Sequence, residues 1–222
     1  ADLGPVVAPQ EGGLAPLLAV HDKGLLDFVR AASARQRAAG EGAPPLFPTV
    51  FPPRGQRRRP QAFDGLKGYY CADMEVPIDG YTWHAAAASA YCAWTGALRL
   101  REGAPLVYAL CRPPGHHAGP DFMGGYCYLN NAAIAARALC GTGDRVAVLD
   151  IDYHHGNGTQ AIFYADPGVC YGSLHVDPRT AYPYYAGYAD ETGVGAGVGT
   201  NWNVPLAPGT SQAAYLAALE GL

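Results

Sequence analysis

Val146–Gln160, VAVLDIDYHHGNGTQ, is the stretch whose reading decides the fold. Val146 to Leu149 are apolar and read as a buried strand, within an opening strand over Arg145 to Asp152. Asp150, Asp152 and His154 then fall at every second position. Alternate residues of an extended chain point to one face. Two carboxylates and an imidazole therefore project together, while Ile151 and Tyr153 point the other way. Gly156 and Gly158 supply a turn into the next element, a helix expected over Gly158 to Ala165. Asp and His in this cadence, at the end of a hydrophobic strand, are donors suited to a metal ion. A solvated strand end would account for one such residue; Asp-x-Asp-x-His-His-Gly asks for more.

Working outward, Pro105 to Cys111 (PLVYALC) read as a second buried strand, ending in RPPGHH. Pro113, Pro114 and Gly115 stiffen and then turn the backbone just before His116 and His117. Two adjacent histidines after a rigid turn can both face a pocket. Histidine carries protons near neutral pH, with its tautomer and pKa set by the partner on the other ring nitrogen. Asp150 and Asn157 are the available partners. Downstream, Val169 to His175 (VCYGSLH) read as a third strand, ending in SLHVDPR. Helices are expected over Trp83 to Leu100, capped by Thr82 with His84 an ordinary surface residue, and over Ala132 to Cys140. Strands alternating with helices give βαβ units and a parallel sheet. Ligands of such sheets bind beyond the carboxyl ends of the strands. If the three strands are neighbours, RPPGHH, DIDYHHGNG and SLHVDPR meet at one edge.

The 222 residues are enough for one α/β domain over 1–222, and 49% hydrophobic with 15% charged content fits a buried core rather than disorder. A net charge of −4 gives no general reason to expect nucleic acid. Six cysteines without a C-x-x-C pair read as reduced thiols. No apolar run is long enough to span a membrane, and no signal peptide is visible. The chain begins Ala-Asp-Leu and stops at Glu220-Gly221-Leu222 in a helical pattern, so both ends read as cut. Residues 1–20 lack periodicity. His21 to Ala39 read as a helix stopped by Gly40. Glu41 to Tyr70 read as a long Pro- and Gly-rich loop in which Arg57, Arg58 and Arg59 form a solvated charge run more readily than an anion site. Tyr182, Tyr184, Tyr185 and Tyr188 crowd one loop, walling a pocket or covering the core. Gly193 to Gly199 read as a flexible loop, since no Lys-Ser/Thr follows. Trp202 to Leu206 read as a short strand, and Thr210 or Ser211 as the cap of a last helix.

RPPGHHAGPDFMGGYCYLNNAAIAA, VLDIDYHHGNGTQAIFY and SLHVDPRTAYPYYAGYADETG together resemble the zinc-dependent histone deacetylase superfamily, and its bacterial acetylpolyamine amidohydrolase branch more closely than the classical enzymes. The likeness runs from about residue 20 to the end, with specific motifs from Arg112 onward. It implies the arginase/deacetylase α/β fold, three-layered with a central mostly parallel sheet and incomplete at both ends here. It implies hydrolysis of N-acetyl amides of small aliphatic amines, acetylpolyamines first, with acetyl-lysine in proteins as the alternative. Asp152 and His154 match two of the family's three protein ligands to Zn²⁺. His117 backed by Asn157 matches the general base and acid, with Asn leaving it less basic than an Asp partner would. His116 backed by Asp150 matches the second, electrostatic histidine. Asp150, Asp152, His154, Ser173 and Leu174 match a structural K⁺ site, largely through main-chain carbonyls. Gly125, Tyr126 and Tyr182 match the channel around the acyl-amine. In that branch the loop, here an insertion at about 41–81, helps form a homodimer and narrows the mouth. Glu75, rather than Asp73, is expected to favour a cationic substrate there. Cytoplasmic placement in a bacterium is expected.

The family's third zinc-ligating Asp, and its carbonyl-polarising Tyr in a Gly-Gly-Tyr motif, are expected further along than this chain reaches. Asp177, Asp190 and Glu191 lack the right surroundings. The chain therefore reads as an internal piece, inactive alone and weak in zinc binding. A non-catalytic module that kept the fold is a further alternative. A two-manganese arginase-like centre is disfavoured by the RPPGHH pair and the DIDYHHGNG pattern.

Overall fold

A computed structural model describes residues 4–53, 55–140 and 145–222. Ala1–Leu3 of the irregular N-terminal stretch and Arg54 of the long loop lie outside the described residues. The elements run α1 (Ala15–Leu18), α2 (Lys23–Ala39), α3 (Phe63–Tyr70), α4 (Thr82–Arg101), α5 (Asn131–Cys140), β1 (Val146–Asp150), α6 (Asn157–Phe163), β2 (Val169–Val176), β3 (Asn201–Leu206) and α7 (Gln212–Glu220). The three strands form one parallel sheet in the order β1-β2-β3, with Asp150 opposite Ser173 and Ser173 opposite Asn203. That register puts the carboxyl ends of β1 and β2 side by side, where a parallel α/β sheet places its ligands.

Helix α2 forms because Leu25, Leu26, Phe28, Val29 and Ala32 recur at helical spacing and all are buried. Gly40 ends it at φ 94°, a left-handed conformation that suits glycine. Helix α4 buries Ala86, Ala90, Ala93 and Ala97, a small-residue stripe that lets α5 approach closely with Ala133 and Ala136. The core lies between these helices and one face of the sheet, where Met123, Leu129, Ile134, Phe163 and Val169 join it. Burying a Leu- or Ile-sized side chain there stabilises the fold by roughly 1.5–3 kcal/mol.

Several expectations need correction. Pro105 to Cys111 are not a buried strand. The segment is extended, but it carries no ladder among the described residues. Its inner residues Val107 and Ala109 lean on Gly96 of α4, while Leu106, Tyr108 and Leu110 are 84%, 83% and 69% exposed. Strand β1 is shorter than Arg145–Asp152 and alternates half-buried and exposed instead of being covered on both faces. The third strand of the sheet is β3, not the segment before RPPGHH. The long loop contains helix α3, whose Tyr70 stacks on Phe28 of α2 with ring centroids 5.1 Å apart. Arg57, Arg58 and Arg59 are exposed, and two of them are engaged: Arg57 pairs with Asp121 at 2.8 Å and Arg59 Nε donates to the Tyr70 hydroxyl at 2.8 Å. His21 lies outside the helix and is buried. Thr82 is the first residue of α4 rather than its cap, and its hydroxyl donates to Asp79. Ser211 caps α7 by accepting the Ala214 amide. Gly193 to Gly199 are not a loose loop; they include a short 3-10 turn at Gly195–Gly197, packed on the backbone after α6. Among the described residues no helix is long and apolar enough to cross a membrane.

Candidate active site

At the end of β1 the backbone sets Asp150, Asp152 and His154 in succession. The Asp150 carboxylate accepts the Asp152 amide at 3.1 Å, and Asp152 in turn accepts the His154 amide at 2.9 Å. These side-chain turns fix the loop locally, as Asp residues do beside free amides. The Asp150 Oδ2 atom also accepts from the Tyr171 hydroxyl of β2 at 3.0 Å. Gly156 is needed here: a Cβ on it would lie 2.5 Å from Asp150 Oδ2 and 2.6 Å from the Tyr171 oxygen.

The histidine loop reaches this edge without pairing as a strand. His116 Nδ1 lies 2.9 Å from Asp150 Oδ2, and His117 Nδ1 lies 2.8 Å from Asn157 Oδ1 at the start of α6. A carbonyl oxygen only accepts, so the His117 ring proton sits on Nδ1 and Nε2 keeps its lone pair. The two imidazoles lie with centroids 4.0 Å apart. Burial pushes His117 down to about 4, and the neighbouring His116 and His154 deepen the fall, while Asn157 and Asp152 oppose it. Burial pushes the Asp150 carboxyl up, but hydrogen bonds from His116, Asp152 and Tyr171 and the His116 charge outweigh it, and its pKa lies below the ordinary carboxylate value.

Tyr182 stands edge-on to both His117 and His154, with centroids 4.7 and 6.0 Å away. Across from it, Gly125 and Tyr126 form a left-handed turn at φ 50° and 65°. A Cβ on Gly125 would fall 2.3 Å from the His117 ring, so the turn lies directly on that imidazole. Tyr126 is 61% exposed at the rim. Its main-chain N–H donates to the Glu75 carbonyl at 3.2 Å, and the exposed Glu75 carboxylate holds its phenol above the ordinary pKa. Ser173 and Leu174 are buried in β2, Ser173 beside Asp150 in the ladder and hydrogen-bonded to His175 at 2.8 Å.

Asp152 and His154 suit a metal by donor type, with Asp152 Oδ1 3.7 Å from His154 Nδ1 and 3.9 Å from His116 Nε2. A catalytic zinc takes three protein donors. Among the described residues no group of three or more His, Cys, Asp or Glu is placed to hold an ion, so the donor set fits in kind and is one short. Two of the acidic residues downstream, Asp177 and Glu191, are committed elsewhere. Asp177 bonds Arg179, and Glu191 accepts the Gly187 and Tyr188 amides and Gln160. Sequence reasoning passed over Asp73, which accepts from the Tyr182 hydroxyl at 2.6 Å and the Gly125 amide at 2.9 Å. It also missed Tyr171 behind Asp150. These contacts join residues 109, 52 and 21 positions apart, with no local pattern to mark them.

The sequence profile described as histone deacetylase domain matches residues 3–222. The chain is 53% identical over 223 residues to acetylpolyamine amidohydrolase 1 of Pseudomonas aeruginosa, covering 99% of this chain and 64% of that protein. It is 47% identical over 216 residues to acetylpolyamine amidohydrolase of Mycoplana ramosa, covering 96% of this chain and 63% of that protein. The chain thus spans less than two thirds of the length of these curated relatives. Its fold superposes on the crystal structure of acetylpolyamine aminohydrolase from Burkholderia pseudomallei with a TM-score of 0.90 at 44% identity, over 98% of this chain and 63% of that one.

Proposed function

This chain belongs to the histone deacetylase domain family, and on that premise we propose that the whole protein hydrolyses N-acetyl amides of small aliphatic amines, acetylpolyamines foremost. The observation that carries this reading is the histidine pair with its two unlike partners, Asp150 behind His116 and Asn157 behind His117, facing Asp152, His154 and the Tyr182 ring. Hydrolysis of an acetyl amide needs a group that takes a proton from water and returns one to the amine. The bare Nε2 of His117 takes the proton of the attacking water and hands it to the departing nitrogen as the C–N bond breaks, leaving acetate and a free amine. His116, backed by a carboxylate, stabilises the charge that develops beside it. Tyr182 and the Gly125–Tyr126 turn flank a slim acyl chain, and the Glu75 carboxylate favours a cationic far end.

Asp152 and His154 would hold zinc together with a third donor that is not found among the described residues. Bound there, it would supply Lewis acidity toward the acetyl carbonyl and the attacking water. Asp150, Asp152, His154, Ser173 and Leu174 would hold a structural potassium ion, largely through main-chain carbonyls. The 41–81 segment joins two copies in a homodimer, and the protein works in the cytoplasm. Support for the substrate class comes from the relatives named above.

The test is acetate release by the whole protein carrying stoichiometric zinc. N-acetylputrescine and N8-acetylspermidine are expected to give a higher kcat/KM than an acetyl-lysine peptide. Preference for the peptide replaces the substrate class. No release from any of them overturns the enzyme reading in favour of a binding module.

A further inference from the structure

We propose that Asp73 is the positioning residue that locks the two walls of the acyl channel together, a role that rests on the hydrolase reading above. Its carboxylate takes three donors. Oδ2 accepts the Tyr182 hydroxyl at 2.6 Å and the Gly125 amide at 2.9 Å, and Oδ1 accepts the Glu75 amide at 2.7 Å. The walls come from separate loops, and this one side chain bridges them directly. The fit is close: a Cβ on Gly124 would lie 2.8 Å from Asp73 Oδ2 and 3.1 Å from the Tyr182 oxygen.

Each contact acts on something the chemistry uses. Tyr182 presents its ring edge to His117 and His154. Gly125 and Tyr126 hold a left-handed backbone, unfavourable for Tyr126, and a charge-assisted bond to the Gly125 amide helps keep it. The Glu75 amide bond closes a turn that carries the Glu75 side chain to Tyr126 at the rim. Asp73 is half-buried and its oxygens are occupied by this chain's own donors, whereas the Glu75 side chain is exposed. The two carboxylates therefore divide the work. Asp73 sets the channel's width, and Glu75 meets what enters. Burial, and then the bond to Asp73, hold the Tyr182 phenol above its ordinary pKa, so it stays a donor.

The role separates from direct recognition of a cation by substrate comparison. In the whole protein with zinc, Asp73→Asn keeps the side-chain shape but cannot accept from all three donors. It is expected to lower kcat/KM on the order of tenfold, by the same factor for N-acetylputrescine and for neutral N-acetylbutylamine. Tyr182→Phe is expected to lose a similar factor, and the double variant no more than the worse single one. A loss confined to the cationic substrate, or fully additive losses, overturns the proposal. The contact is also read without catalysis. With ¹³Cζ-tyrosine labelling, and Tyr182→Phe to assign the signal, the Tyr182 resonance is expected to shift at neutral pH in Asp73→Asn as its hydroxyl loses the carboxylate acceptor. An unchanged resonance overturns the proposal even if the protein proves inactive on every acetyl amide. If Asp73→Asn does not fold, unchanged kcat/KM in Tyr182→Phe does the same.

Discussion

Stability of this protein should fall on acidification through one buried imidazole, that of His21. His21 is 2% exposed, with Nδ1 2.8 Å from the Gly119 carbonyl and Nε2 accepting the Asn130 amide at 2.9 Å. That pattern fits only a neutral ring with its proton on Nδ1. A second proton on Nε2 would point at an N–H. Burial lowers the pKa from 6.5 to about 4, with the bond to Gly119 opposing it. The unfolded chain then binds the proton more readily, so the contribution is complete above about pH 6.5 and is lost as pH falls through the folded value. At roughly 1.4 kcal/mol for each tenfold change in proton affinity, the loss is about 2 kcal/mol by pH 5 and about 3 kcal/mol below pH 4. The assay is urea unfolding of wild type and His21→Gln at a series of pH values. Gln can donate and accept but does not titrate. His117, His155 and His175 also lie below their ordinary values, mainly through burial, so the wild type alone would not isolate His21. The wild type should lose about 2 kcal/mol more than the variant between pH 7.5 and 5. Parallel curves would refute the reasoning. The consequence is functional, because Gly119 and Asn130 bracket the loop that carries Gly125 and Tyr126, and Gly119 lies two residues after His117.

Further outcomes follow from the site. Gly125→Ala should destabilise the protein by about 1–2 kcal/mol through its left-handed φ alone and abolish hydrolysis, because the new methyl meets the His117 ring; thermal unfolding and turnover at normal activity would refute it. Asn157→Asp places a carboxylate against His117 Nδ1 and should move the acid limb of the kcat/KM profile to higher pH; an unmoved limb would take His117 out of the proton transfer. Glu75→Gln should raise KM for acetylpolyamines more than for a neutral acetyl amide, and equal effects would remove Glu75 from recognition. Calorimetry on the 222-residue chain should find weak zinc binding, since Asp152 and His154 are two donors where a tight site has three; nanomolar affinity would show a third donor within this chain.

Sequence alone carried what local chemistry writes into a few neighbouring residues. The alternation of Asp150, Asp152 and His154, the stiff turn before His116 and His117, and the helical spacing in α2 are each set within one short segment, so periodicity and residue type are enough to read them. The partners Asp150 and Asn157 were legible as chemical types, a carboxylate and an amide available to two histidines. What tertiary structure decided lies between segments. Whether Pro105 to Cys111 is covered depends on a neighbour, and its unbroken apolar run does not say so; the structure leaves Leu106, Tyr108 and Leu110 bare. The same holds for the third strand, which comes from Asn201–Leu206 and not from the histidine segment. Helix α3 lay hidden in a Pro- and Gly-rich stretch, where its stability comes from Tyr70 on Phe28 more than from propensity. Asp73 illustrates the limit best. Read in sequence it is the less favoured of two carboxylates near the channel mouth, and it becomes the bridge of the channel only when folding brings Gly125 and Tyr182, 52 and 109 residues away, within hydrogen-bond reach of one oxygen.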